Sequence, residues 1–191
     1  MLQQLRLNLS MVFGSALLFL LSFGLNEWLF ANSEFVRGIN WIYLPAGMRL
    51  LCTLLFGGAG ALGVLLASCL TSLLYYFPGD LERALLGAAI SAAAPYLVYL
   101  LAQKIFGLQA SLANLTARRL LWLVVLYALA SPLLLHVGFW LHGGMHGTLN
   151  GFLVMFGGDL LGSLVVVYIM KSLLWLLPRK KLGAAPLPPL G

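Results

Sequence analysis

The sequence predicts an all-α, polytopic membrane protein, a bundle of six transmembrane helices with N- and C-termini cytoplasmic. Three observations predict it. Hydrophobic residues make up 62% of the 191 and charged residues 8%, with a mean hydropathy of +1.00; a soluble domain carries about 25% charged residues. Apolar runs of roughly 20 residues, the length needed to cross a hydrocarbon core of about 30 Å, recur along the chain. Basic residues gather at alternate ends of those runs, as the positive-inside rule requires.

The first span covers residues 7–25. Arg6 is its only early charge and no small-residue cleavage site follows, so it reads as a retained helix rather than a signal peptide. The second, residues 38–56, is interrupted by Pro45-Ala46-Gly47. Proline removes a backbone donor and frees the carbonyl of Trp41, so a kink or local unwinding is expected there. Gly57-Gly58-Ala59-Gly60 makes a tight turn, and the third span continues to Phe77. Pro78-Gly79-Asp80 then breaks the chain. The fourth span covers residues 82–102, the fifth 120–141 and the sixth 152–177. Between the fourth and fifth, Leu108, Leu112 and Leu115 recur at helical spacing, which predicts a short interfacial helix. Residues 1–178 thus form a single transmembrane domain, and 179–191 a short, basic, Pro-rich disordered tail.

Charge gives the orientation. Arg6, Lys104, Arg118, Arg119, Arg179, Lys180 and Lys181 fall on one side, taken as cytoplasmic, while Arg37 and Arg83 fall on the other. Trp28, Trp41, Tyr75, Tyr76 and Trp140 mark the outer interface, Trp122 and Trp175 the inner one. Topology accounts for the net charge of +6, and no basic stripe interleaved with aromatics points to nucleic acid. Cys52 and Cys69 differ in distance from the turn by about five residues, or roughly 8 Å of helix rise. A disulfide needs Cα atoms within about 7 Å, so two packed free thiols are expected.

Two charges stand inside the apolar stretch, Arg49 and Asp159. Each costs about 2.5–3.5 kcal/mol to insert, so opposite signs read as a buried pair between the second and sixth spans. At 1.5 Å per residue they lie about 15 Å and 10 Å below their helix starts, a difference an arginine side chain can bridge. The pair either fixes helix register or lines a ligand site in the outer half. Pro45 and Gly47 favour the latter, since unwound backbone survives at membrane depth only beside protein or a polar cavity. Gly158 and Gly162 form a close-packing motif around Asp159, and Ala84, Gly87, Ser91 and Pro95 form a similar stripe. Such stripes mark contacts within the bundle or, alternatively, a homo-oligomer interface.

His136, His142 and His146 gather near the outer end of the fifth span. His142 and His146 have metal-ligand spacing, but glycines lie between them and no acidic residue or cysteine adds a third ligand. A polar, pH-responsive rim is expected instead of a metal site. Gly58 to Gly63 matches the dinucleotide-binding pattern without its βαβ context, so no cofactor is expected. No serine has a paired base and no nucleophile elbow occurs, so enzyme activity is not expected.

Three motifs carry a family resemblance. Leu44-Pro45-Ala46-Gly47 followed by Phe56-Gly57 resembles the W-P-P-A-G-x-x-x-A-x-L-L-L-x-G opening of MASE-type membrane-associated sensor domains. Leu81-Glu82-Arg83-Ala84-Leu85-Leu86-Gly87-Ala88 is similar to that family's L-E-A-L-L-G-A segment, and Gly158-Asp159-Leu160-Leu161-Gly162 to its G-D-x-L-G motif. The matches keep the family's order and cover about residues 39–177. The family typically has about eight spans fused to kinase or cyclase modules, which this chain lacks, and Arg49 stands where it usually has an apolar residue. The resemblance implies a sensing role for Pro45, Gly47, Glu82, Gly158 and Asp159.

These readings converge on a sensor-like or adaptor subunit of a bacterial inner membrane. It would bind a small ligand or membrane partner in an outer-half cavity around Arg49, Asp159 and Glu82, and any signalling output would come from a protein partner. Six spans in about 190 residues also resemble the substrate-capture components of energy-coupling-factor transporters, and a purely structural membrane subunit is the third alternative.

Overall fold

The computed structural model describes residues 2–36, 38–109, 111–142 and 148–176. Arg37, His146 and the expected tail 179–191 lie outside these described residues. The elements are α1 (Leu2–Phe30), a 3-10 turn (Ala31–Ser33), a small antiparallel hairpin of β1 (Glu34–Val36) and β2 (Ile39–Asn40), α2 (Leu44–Thr71), a π turn (Ser72–Tyr76), α3 (Leu81–Phe106), α4 (Ala117–Leu141) and α5 (Leu149–Leu176). Among the described residues, five helices are long and apolar enough to cross a membrane. Their outward leucines, together with Trp28, Trp122, Trp140 and Trp175, are exposed, while small residues face inward.

The expected second and third spans run into one another, so the described residues hold five long helices where six spans are expected. They join as α2, but α2 is not straight. Gly57 takes φ 56° and ψ −128°, a left-handed conformation that favours glycine. A straight helix from Leu44 to Tyr76 would be about 50 Å long, yet the Tyr43 and Tyr76 hydroxyls stand 3.0 Å apart. The two arms therefore fold back on one another at the expected glycine turn. A Cβ on Gly60 would sit 2.1 Å from the Cys52 carbonyl oxygen, so only glycine lets the arms approach this closely. Cys52 and Val64 meet in one buried cluster, and both cysteines are free thiols.

Pro45 does not kink a longer helix, contrary to expectation; it sits in the first turn of α2. Proline is favoured there, because its missing N–H is one that a helix start leaves unpaired and its φ is already helical. The chain before it, from Ile39 to Tyr43, is not helical. Its backbone groups find partners elsewhere. Trp41 N–H donates to the Ser33 carbonyl at 3.0 Å, Tyr43 N–H to the Gly158 carbonyl at 3.1 Å, and Leu44 N–H to Asn26 Oδ1 at 2.9 Å. These bonds tie the ends of α1, α2 and α5 together where buried backbone would otherwise be unsatisfied.

The segment from Asn40 to Gly47 lies directly on one face of α5. A Cβ on Gly158 would meet the Asn40 carbonyl oxygen at 2.0 Å, one on Gly162 would meet the Tyr43 carbonyl oxygen at 1.9 Å, and one on Gly47 would meet the Ser163 Cα at 2.7 Å. The glycine motif thus seats an extended strand as well as a helix, at backbone contact distance.

No helix forms among the described residues between α3 and α4, where an interfacial one is expected. Gly107 takes φ 57° and ends α3 in a left-handed cap. The Asn114 side chain then bonds Gln109 N–H and the Gly107 carbonyl, closing a compact loop. Leu108, Leu112 and Leu115 pack on the bundle's main core beside Tyr127 and Val98. Burial of these leucines against the core outweighs their helical spacing.

The seam generates a paired prediction. Gly162→Ala forces backbone apart and should destabilise the protein by about 1–3 kcal/mol, as overpacking does. Gly157→Ala, whose Cβ meets nothing within 4 Å, should be neutral or slightly stabilising, since alanine is favoured by about 1 kcal/mol inside a helix. Thermal unfolding of the two variants in the same detergent compares them directly.

Candidate functional site

A cavity of about 430 Å³ opens between the β-hairpin and the upper turns of α2, α3, α4 and α5. Ile39, Ile90, Leu135, Phe139 and Met155 give it apolar walls. Both Arg49 and Asp159 line it, with only 5% and 1% of their surface exposed. The sequence expectation that these charges meet is half met. They share one cavity, but no Arg49 nitrogen reaches within 4 Å of an Asp159 oxygen; among the described residues the ion pair is Arg83 with Asp80, at 3.3 Å.

Other partners hold each charge back from the other. The Arg49 guanidinium lies 5.0 Å from the Phe19 ring centre and 5.3 Å from that of Tyr43, within reach of cation–π attraction. One terminal nitrogen donates to the Tyr43 hydroxyl at 3.2 Å, and that hydroxyl meets Tyr76 at 3.0 Å. The Tyr127 hydroxyl is close to the guanidinium but makes no hydrogen bond of ordinary geometry. Asp159 lies beside the buried Ser131 hydroxyl of α4. Three buried side-chain atoms of cavity-lining residues have no hydrogen-bond partner among the described residues: Arg49 Nε, Asp159 Oδ2 and Asn40 Oδ1. Buried polar atoms in folded proteins are almost always paired, so these three invite a bound species.

The seam places both charges. Gly158 and Gly162 flank Asp159 and let the start of α2 settle on α5; Gly47 completes the contact. Pro45 starts α2, so Arg49 points from its first turns into the cavity rather than from mid-helix.

Glu82 does not join them. It is exposed on the first turn of α3 and absent from the cavity wall, which Arg83 reaches instead. Asp80 explains this placement: its carboxylate caps α3 by accepting from Arg83 N–H at 3.0 Å, and that cap fixes the helix rotation with Glu82 outward. Of the histidines, His136 lines the cavity, with Nδ1 2.8 Å from the Pro132 carbonyl and its ring edge-on to Phe152. His142 is exposed at the end of α4, with Nδ1 3.0 Å from the Gly138 carbonyl. The rim is thus supplied by His136 alone among the described histidines. Ala84 and Gly87 are buried, and Gly87 and Ser91 line the cavity, so that stripe serves the bundle interior.

Sequence reading missed Tyr43, Asn40, Ser131, Phe19 and Tyr127. Asn40 and Ser131 carry a signal, as polar side chains in apolar runs. Phe19 and Tyr127 carry none, because aromatics are common throughout these spans. Comparison of the chain with family models, curated proteins and solved structures returns no match.

Removing either charge leaves the other buried beside a cavity, whereas removing both leaves an apolar site. The double variant Arg49→Leu/Asp159→Leu should therefore melt higher than the sum of the single effects allows. Because the groups do not touch, the coupling should be about 0.5–1.5 kcal/mol, within the range of neighbouring residues and below that of a contacting buried pair. Shifts that add across the cycle would show that the two charges are independent.

Proposed function

We propose that the protein is a multi-pass inner-membrane subunit, sensor-like or adaptor in role, that binds a small ligand in the cavity around Arg49 and Asp159. The observation that carries this reading is the pair of buried, opposite charges, Arg49 and Asp159, in the lining of one cavity with largely apolar walls. Concave, mostly apolar sites of roughly 300–1,000 Å³ with a few convergent polar groups are the usual form of small-molecule sites. A purely structural pair has no need of the space between its members.

In this reading both arms of α2 cross the membrane, which makes six passes and leaves both termini on one side. The positive-inside rule then puts Arg6, Lys104, Arg118 and Arg119 in the cytoplasm and the cavity in the outer half. The likeness of Pro45, Gly47, Gly158 and Asp159 to MASE-type sensor motifs supports a sensing role, with signal passing to a membrane or signalling partner. Ligand binding would shift the bundle between two packings only by its difference in affinity for them. Phe35, Val36 and Gly38 contribute to the cavity lining; such a site equally suits a transport subunit that captures its substrate.

Native mass spectrometry of the purified protein should show a retained small molecule. Ser91→Trp, which fills the cavity from α3, should abolish retention while leaving the melting temperature within about 5 °C, roughly the shift 1 kcal/mol makes in a small domain. Retention by the cavity-filled variant would remove the site from consideration. Stable co-purification with a kinase or cyclase supports the sensor role; dependence on a partner ATPase supports capture.

A further inference from the structure

We infer that the cavity takes a zwitterion, with its anionic group at Arg49 and its ammonium group at Asp159, and an apolar body between α3 and α4. This rests on the binding-site reading above and adds the chemical class of the ligand.

Charge balance is the first reason. Arg49 and Asp159 sum to zero, and Arg83 at the cavity wall is already paired with Asp80 at 3.3 Å. A singly charged ligand would neutralise one buried group and strand the other, leaving a net charge in a medium that solvates ions poorly. A molecule carrying both signs satisfies each group without adding net charge.

The unpaired atoms give the second reason. Among the described residues, Arg49 Nε–H is a donor without an acceptor, whereas Asp159 Oδ2 and Asn40 Oδ1 are acceptors without donors. The Asn40 backbone carbonyl rests on Gly158, the neighbour of Asp159 in α5, and both Asn40 and Asp159 line the cavity. Among the cavity-lining residues, Arg49 therefore calls for an acceptor, and Asp159 and Asn40 for donors. A carboxylate or phosphate supplies the first, and an ammonium group, with three N–H donors, supplies the second. A hydroxyl offers one donor and a carboxylate none, so neither serves both Asp159 and Asn40.

The walls give the third. Phe77 and Phe139 meet edge to face at 5.7 Å, and Ile90, Leu135 and Met155 complete a surface that an aliphatic or aromatic body can cover. Two sources share this chemistry: a free amino acid with an apolar side chain, and the head group of a zwitterionic phospholipid.

The test uses the full-length protein in nanodiscs of phosphatidylglycerol, with tryptophan fluorescence as the readout of titration and melting. The probes are L-leucine, its deaminated counterpart 4-methylpentanoate, its decarboxylated counterpart isoamylamine, and glycerophosphoethanolamine. The expected result is saturable binding of leucine or of glycerophosphoethanolamine, with both singly charged compounds at least tenfold weaker. Leucine binding identifies a free solute, and glycerophosphoethanolamine binding a lipid head group. Arg49→Gln and Asp159→Asn should each weaken the preferred zwitterion tenfold or more; where a variant does not fold, the analogue series on the unaltered protein carries the test. A singly charged compound binding as tightly as either zwitterion overturns the inference but leaves the cavity a binding site. Absence of binding by both zwitterions also overturns it. If native mass spectrometry then finds no retained molecule, the binding-site reading falls with it.

Discussion

Everything at the site depends on backbone lying against backbone between residues 40–47 and the glycine face of α5. Helices normally keep their axes 8–10 Å apart because side chains intervene. Gly158 and Gly162 remove that spacer, so the Asn40 and Tyr43 carbonyls occupy the places where methyl groups would stand. The Tyr43 N–H then finds the Gly158 carbonyl at 3.1 Å. Because this contact fixes where α2 begins, it also fixes the depth of Arg49 relative to Asp159. The charges face one cavity as a consequence of the seam rather than of their own attraction.

That order of causes explains why the ion pair does not close. Desolvating two ions costs several kcal/mol each, and only very good geometry in the pair offsets it. Arg49 instead lies between two aromatic faces and bonds a tyrosine hydroxyl, so its charge is spread over groups that need no counter-ion. Asp159 has the Ser131 hydroxyl beside it. Each ion is partly stabilised where it stands, and both residues line the same cavity.

Much of this was legible in the sequence, for reasons that differ by residue. Apolar run length marks the helices because lipid-facing and buried surfaces are both apolar, and the Gly57–Gly60 turn shows because only glycine tolerates it. Arg49 and Asp159 stand out because charge in apolar sequence is expensive. Less legible were features that depend on three-dimensional direction. Helix rotation puts Arg83 rather than Glu82 on the cavity wall, and the Asp80 cap that sets it is a local bond whose outcome spacing alone does not give. Proline reads alike as a kink and as a helix start, since both remove one donor; the partners that Trp41, Tyr43 and Leu44 find decide between them. The leucines after Gly107 have helical spacing, but spacing cannot tell a membrane interface from the bundle core.

The cavity itself follows from the place where helix is missing. The first arm of α2, residues 44–56, is about 20 Å long. The chain before it, from Gly38 to Tyr43, is not helical and occupies less lateral room than a helix about 10 Å across. The volume that further turns of α2 would have filled stays open, bounded by Gly38, Ile39, Asn40 and Tyr43 on one side and by α3, α4 and α5 on the other. Non-helical backbone packed among helices needs its polar groups bonded, and the glycine seam, Asn26 and the Ser33 carbonyl supply those bonds. Pro45, by starting α2 late, and Gly158 and Gly162, by admitting the strand, therefore produce both the empty space and the charges that face it.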